Sequence, residues 1–204
     1  MKKYVVEGVG TFLFVVSIIW SIYNASALTA VHIGIALTAI VYMGGAISGS
    51  HFNPAVTFGL LLNKKISKHD AIGYVIAQLL GAIIAYMVMH KGLNITLPPV
   101  SLFGDLKAFF IAEWIFTFAL VSVIYYTAVN KLTAGNSYYG IAIGAIVIAG
   151  AVSVGKISGG FFNPAVLLGI GFYGIPVNAT LAILAGQLVG ALWAAGFYRY
   201  VVGK

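Results

Sequence analysis

Ile47-Ser48-Gly49-Ser50-His51-Phe52-Asn53-Pro54-Ala55-Val56 returns 110 residues later as Ile157-Ser158-Gly159-Gly160-Phe161-Phe162-Asn163-Pro164-Ala165-Val166. In each copy an asparagine precedes a proline, and the pair starts a helix. Proline needs no backbone donor at the first helical position, and the asparagine side chain caps the free amides that follow. The apolar stretches at 53–62 and 163–173 are too short to cross a bilayer core of about 30 Å, which takes roughly 20 residues. They read as half-helices that dip into a membrane. The backbone ahead of them, at 48–52 and 158–162, cannot face lipid and must line something wet or protein-filled.

The rest of the chain supplies that membrane. Hydrophobic residues make up 61% of the 204 and charged residues 7%, with a mean hydropathy of +1.04, so lipid is the solvent for most of it. Six segments are long enough to span: about 4–23, 28–47, 69–90, 106–129, 138–156 and 177–200. Lys2 and Lys3 lead into the first with no small-residue cleavage site, so it is expected to be a span and not a signal peptide. Cysteine is absent, which removes disulfide and thiolate chemistry. No motif pairs a nucleophile with a base, so an enzyme is not expected. No cofactor or metal site is evident either.

The duplication extends beyond the motif. Glu7-Gly8-Val9-Gly10-Thr11-Phe12 parallels Glu113-Trp114-Ile115-Phe116-Thr117-Phe118 at an offset of 106. Gln78-Leu79-Leu80-Gly81-Ala82 parallels Gln187-Leu188-Val189-Gly190-Ala191 at 109. Three spans per half is an odd number, so the second half runs through the membrane upside down, an arrangement typical of transport proteins. The expected fold is an all-α membrane protein: one transmembrane domain over 1–204, with six spans and two re-entrant half-helices in an inverted 3+3 repeat. The repeats cover about 1–95 and 105–204.

The formal charge of +7 is carried by lysines scattered at span ends, which reads as a topology signal and not as a nucleic-acid footprint. With the N-terminus inside, Lys2, Lys3, Lys64, Lys65, Lys68, Lys131, Arg199 and Lys204 face the cytoplasm, against Lys91, Lys107 and Lys156 outside. That bias follows the positive-inside rule. Both termini are expected in the cytoplasm and the protein in the cell membrane. Tyr125, Tyr126, Tyr138 and Tyr139 cluster at span ends as an aromatic belt would. Gly59, Gly73, Gly81, Gly169, Gly186 and Gly190 are placed to let helices approach closely.

Both Asn-Pro-Ala frames, the glutamates of the first and fourth spans and the paired Gln-Leu-x-Gly-Ala segments resemble the aquaporin, or major intrinsic protein, family over nearly the whole chain. The resemblance implies a homotetramer with one pore per monomer and passive flux of water or small uncharged solutes. It also implies that Glu7 and Glu113, each costing about 2.5–3.5 kcal/mol at mid-span, accept hydrogen bonds from the amides of the re-entrant loops. A proton relay is the alternative for them. Opposed half-helix N-termini, with Asn53, Pro54, Ala55 facing Asn163, Pro164, Ala165, would repel cations and hydronium while the asparagine amides donate to a passing oxygen. Carbonyls of Gly49, Ser50, His51, Ser158 and Gly159 would form a polar ladder along the pore.

The chain departs from the family at the outer constriction. An arginine usually follows the second motif; here the position is Val166. The other positions of that ring resemble Ile33, Ala151 and Gly160, and a one-residue shift would put His32 in place of Ile33. Ile-Ala-Gly-Val is a wide apolar ring without a side-chain donor. Leu167 stands where glycerol facilitators carry aspartate, and some plant vacuolar members carry valine at the position of Val166. The expected permeants are therefore water and/or small uncharged solutes larger than water: ammonia, hydrogen peroxide, urea, small polyols or dissolved gas. Lys156 reads as an interfacial lysine snorkelling to headgroups, or as a charge over the outer vestibule that replaces the lost arginine. His51 has no second ligand at metal-binding spacing, and its side chain is expected to pack behind a pore-facing carbonyl. Membrane lipid and small neutral permeants are the expected partners. A secondary transporter and a non-conducting scaffold are the competing functions.

Overall fold

In the computed structural model, which describes residues 1–98, 102 and 104–203, helices dominate and no strand occurs among the described residues. The chain order is α1 (Lys2–Tyr23), α2 (Thr29–Ser48), α3 (Pro54–Leu62), α4 (Lys68–Tyr86), α5 (Leu106–Ile124), α6 (Tyr139–Ser158), α7 (Pro164–Gly171) and α8 (Val177–Val202). A π-helical turn extends α4 to Gly92, and another extends α5 to Val129. Six runs of 20 to 26 residues are long and apolar enough to cross a membrane. Lys204, counted above with the cytoplasmic charges, lies outside the described residues.

The two half-helices sit where the Asn-Pro pairs place them. α3 has 9 residues and α7 has 8, so at about 1.5 Å per residue each reaches only part-way through a bilayer. Six crossings put both ends of the described chain on one face, where α3 also ends. α7 ends on the opposite face. The packing is two-fold and inverted: α1 lies against α2 and α4, α5 repeats this against α6 and α8, and α2 crosses α6. Each half-helix also packs on the other half, α3 on α8 and α7 on α4, so neither repeat is complete alone.

Close helix approach depends on the small residues. A Cβ on Gly81 would run into the carbonyl oxygen of Gly8 across the α1–α4 contact, and one on Gly190 would meet the Trp114 carbonyl oxygen at 2.6 Å. In lipid, such packing replaces the hydrophobic effect as the force between helices. Gly186 faces the Phe110 carbonyl oxygen in the same way, whereas Gly59, Gly73 and Gly169 are crowded by the side chains of Val121, Tyr4 and Val15.

Tyr125 is fully buried, stacks on Tyr198 at 4.4 Å between centroids, and donates its hydroxyl to the Gly59 carbonyl oxygen at 2.5 Å. It is no belt residue. The last carbonyls of α3 lack intrahelical partners, and a buried phenol satisfies one of them. Asn63 donates to Tyr125 Oη at 3.0 Å and to the Ala195 carbonyl oxygen at 2.9 Å, and Arg199 donates to the Leu62 carbonyl oxygen at 2.8 Å.

Gly81→Val is expected to force α1 and α4 apart at a cost of about 1–3 kcal/mol, the usual penalty for overpacking. Gly196→Val adds the same side chain where a Cβ meets nothing within 4 Å. Tryptophan-fluorescence melting in detergent should show a lowered Tm for the first variant and an unchanged Tm for the second.

Candidate functional site

Two buried carboxylates organise the site. Glu7 on α1 and Glu113 on α5 are both 0% exposed. Glu7 Oε1 accepts from Ser48 Oγ at 2.6 Å and from the His51 amide at 2.9 Å, and Oε2 from the Phe52 amide at 2.7 Å and Gln78 Nε2 at 2.8 Å. Glu113 repeats the set: Ser158 Oγ at 2.7 Å, the Phe161 amide at 2.9 Å, the Phe162 amide at 2.7 Å and Gln187 Nε2 at 2.9 Å. Each carboxylate thus holds two consecutive loop amides that have no helical partner, the requirement lipid imposes on irregular backbone.

The loops need that hold because they are strained. Gly49, Ser50 and Phe52 have φ of +82°, +52° and +45°, and Gly159, Gly160 and Phe162 have +94°, +64° and +50°. Glycine accepts this region freely, but a bulky residue such as phenylalanine there is an outlier that costs on the order of 1–3 kcal/mol. The glutamate bonds to the Phe52 and Phe162 amides fix those two positions. Gly49 and Gly159 end α2 and α6 in the left-handed conformation and turn the chain back into the membrane.

At the centre the two half-helices meet through their asparagines. Asn53 Oδ1 caps α3 by accepting from the Ala55 amide at 2.8 Å, and Asn163 Oδ1 caps α7 from Ala165 at 2.9 Å. The amide nitrogens cross over: Asn53 Nδ2 donates to the Phe162 carbonyl oxygen at 2.8 Å, and Asn163 Nδ2 to the Phe52 carbonyl oxygen at 2.9 Å. Each NH₂ carries two hydrogens, so each asparagine keeps one N–H without a protein partner among the described residues. Pro54 and Pro164 occupy the first helical position in each half-helix, and Ala55 and Ala165 are fully buried behind the caps.

Two cavities adjoin this junction. A central chamber of about 30 Å³ is lined by Asn53, Asn163, Ser50 and His51, with Val41 and Ile143 among its apolar wall. A second cavity of about 420 Å³ opens toward the face where α7 ends, and Ile33, Ala151, Gly160 and Val166 all line it, with Lys156 and Gly159. His32 is exposed and is not among its lining residues. Gly49 and Ser158 border neither cavity. Ser158 is fully buried with its hydroxyl on Glu113, so the lining backbone of the second loop begins one residue later. The His51 ring packs edge-on against Tyr74 at 5.0 Å, and its Nδ1 lies 3.0 Å from Thr57 Oγ1.

The major intrinsic protein family model matches residues 1–198. The chain belongs to the major intrinsic protein family. It is 34% identical to the "Glycerol uptake facilitator protein-like 6" of Lactiplantibacillus plantarum, covering 100% of this chain and 99% of that protein. It is 36% identical to the "Probable aquaporin TIP-type alpha" of Phaseolus vulgaris, covering 99% and 86%. The aquaglyceroporin structure from Plasmodium falciparum superposes with a TM-score of 0.83 over 98% of this chain and 96% of that one, at 22% identity, a likeness of fold. Members of this family are channels and not enzymes, and this member is an integral, multi-pass membrane protein.

Sequence reasoning named the glutamates but not their other partners. Gln78 and Gln187 were visible only as matched positions, and the crossed asparagine bonds left no trace beyond the duplication itself. Glu113→Ala would strand four donors, at about 1–3 kcal/mol for each group left unpaired, and is expected to abolish stable folding. Ser158→Ala removes one donor and should lower Tm by a smaller, measurable step in the same fluorescence assay. An equal loss from both variants would refute the carboxylate-centred account.

Proposed function

We propose that this family member is a passive channel for water and small uncharged solutes, including ammonia, hydrogen peroxide, urea, small polyols or dissolved gas. The observation that carries this is the mid-membrane junction. Two helix N-termini face one chamber, each contributing roughly half a positive elementary charge, and each asparagine offers a free N–H to a passing oxygen. Such a centre repels cations and hydronium, and it orients water against proton hopping.

The outer ring supports permeants larger than water. Val166 takes the place of the arginine, and the cavity that it shares with Ile33, Ala151 and Gly160 measures about 420 Å³. The carbonyls of Ser50, His51 and Gly159 supply polar contacts along otherwise apolar walls. Coupled transport finds less support, because Glu7 and Glu113 are fully occupied as loop acceptors. Lys156 lines the outer cavity, and its ammonium serves as the remaining fixed cation at that mouth. The charge bias supports a cytoplasmic location for both termini, the short loops favour the cell membrane, and the family resemblance favours a homotetramer.

Stopped-flow light scattering of proteoliposomes tests the assignment. Water, urea and glycerol fluxes above those of empty liposomes are expected, and flux of water alone would refute the wide filter. Lys156→Ala should leave neutral flux unchanged while raising cation leak severalfold. An unchanged cation leak would reduce Lys156 to an interfacial anchor.

A further inference from the structure

We infer that Phe14 on α1 sets the size limit of the pore, one layer deeper than the ring at which the family arginine is missing. The inference rests on the channel function proposed above. Its starting point is the mismatch between the two cavities: about 420 Å³ outside and about 30 Å³ at the centre. The smaller volume holds roughly one or two waters. A solute that enters the outer cavity freely therefore meets its restriction at the boundary with the central chamber.

Three residues border both spaces: Phe14, Val147 and Phe161. Two of them are fixed. Phe161 is tied through its amide to Glu113, and its ring lies where a Cβ on Gly159 would be. Val147 is β-branched and stiff at χ1. Phe14 is the large side chain of the layer that the loop does not hold, 5% exposed on a helix that otherwise packs against α2 and α4.

The repeat shows what this layer replaces. The equivalents of Phe14, Val147 and Phe161 in the other half are Leu120, Leu37 and His51, at offsets of 106, 110 and 110. All three also line the central chamber. The outer boundary therefore carries an aromatic ring where the inner one carries leucine. With the outer ring reduced to Ile33, Ala151, Gly160 and Val166, Phe14 and Phe161 are the bulkiest side chains between the vestibule and the asparagine pair, and Phe14 is the one that the loop does not tie down.

The experiment compares Phe14→Leu, the residue of the opposite repeat, with Phe14→Ala and Phe14→Trp in proteoliposomes, reading the ratio of glycerol to water permeability. Phe12→Ala makes the same truncation on α1 at a residue that borders neither cavity. The expected result is a ratio raised about tenfold in Phe14→Ala, the scale of discrimination a few methylenes give in an apolar pocket. The rise should be smaller in Phe14→Leu, with glycerol flux lost in Phe14→Trp and no change in Phe12→Ala. A conducting protein whose ratio is the same in wild type, Phe14→Leu and Phe14→Trp would overturn the assignment and leave the channel function standing. A wild type with no flux above empty liposomes would overturn both. Phe14→Leu and Phe14→Trp keep the test open if Phe14→Ala fails to fold.

Discussion

Two segments of this chain run through membrane depth without being helical, and lipid offers their amides nothing. Every feature of the centre follows from that constraint. A carboxylate is suited to the problem because it presents two oxygens that each accept more than one hydrogen bond, so one side chain can gather two adjacent loop amides, a serine hydroxyl and a glutamine amide. Glu7 and Glu113 do this in near-identical geometry. A buried acid in an apolar span is costly by itself. Here the carboxylate and the loop amides satisfy one another, and the positive-φ phenylalanines are held because both partners would otherwise be stranded.

The same economy governs the half-helices. Their N-termini are closed by asparagines that also reach across to the opposite loop, so the two repeats lock at the midplane through reciprocal bonds of 2.8 and 2.9 Å. Their C-termini differ, and there the symmetry ends. α3 is finished by Asn63, Tyr125 and Arg199 from three parts of the chain. Just after α7, Tyr173 is instead packed edge-on against Tyr86 and His90, with its hydroxyl donating to the Ile95 carbonyl oxygen at 3.3 Å. The ends that meet in the middle must match, whereas the ends that meet the two water layers are free to diverge.

Much of the fold was legible because membrane structure leaves strong marks in sequence. The six spans, the two short segments opened by Asn-Pro, and the offsets of 106, 109 and 110 are all visible in the sequence. Span ends fell within a few residues of those observed, as at Thr29 and Ser48 against 28 and 47. The site was legible only in part. Glu7 and Glu113 stand out because acids are rare in such segments, whereas Gln78, Ser48 and their counterparts look like ordinary polar residues until the fold brings them to the carboxylates. Tyr125 misled because a tyrosine at a span end has the same signature in a belt as in a buried cap. The partition at Phe14 was invisible, since one phenylalanine among 13 carries no mark of which cavity it borders.

The most direct test of the central junction is paired measurement of water and proton permeability in the same proteoliposomes, by light scattering and an entrapped pH dye. The opposed half-helices and their asparagine pair predict rapid water flux with proton entry no faster than in empty liposomes. Proton entry that rises in step with water flux would contradict the account.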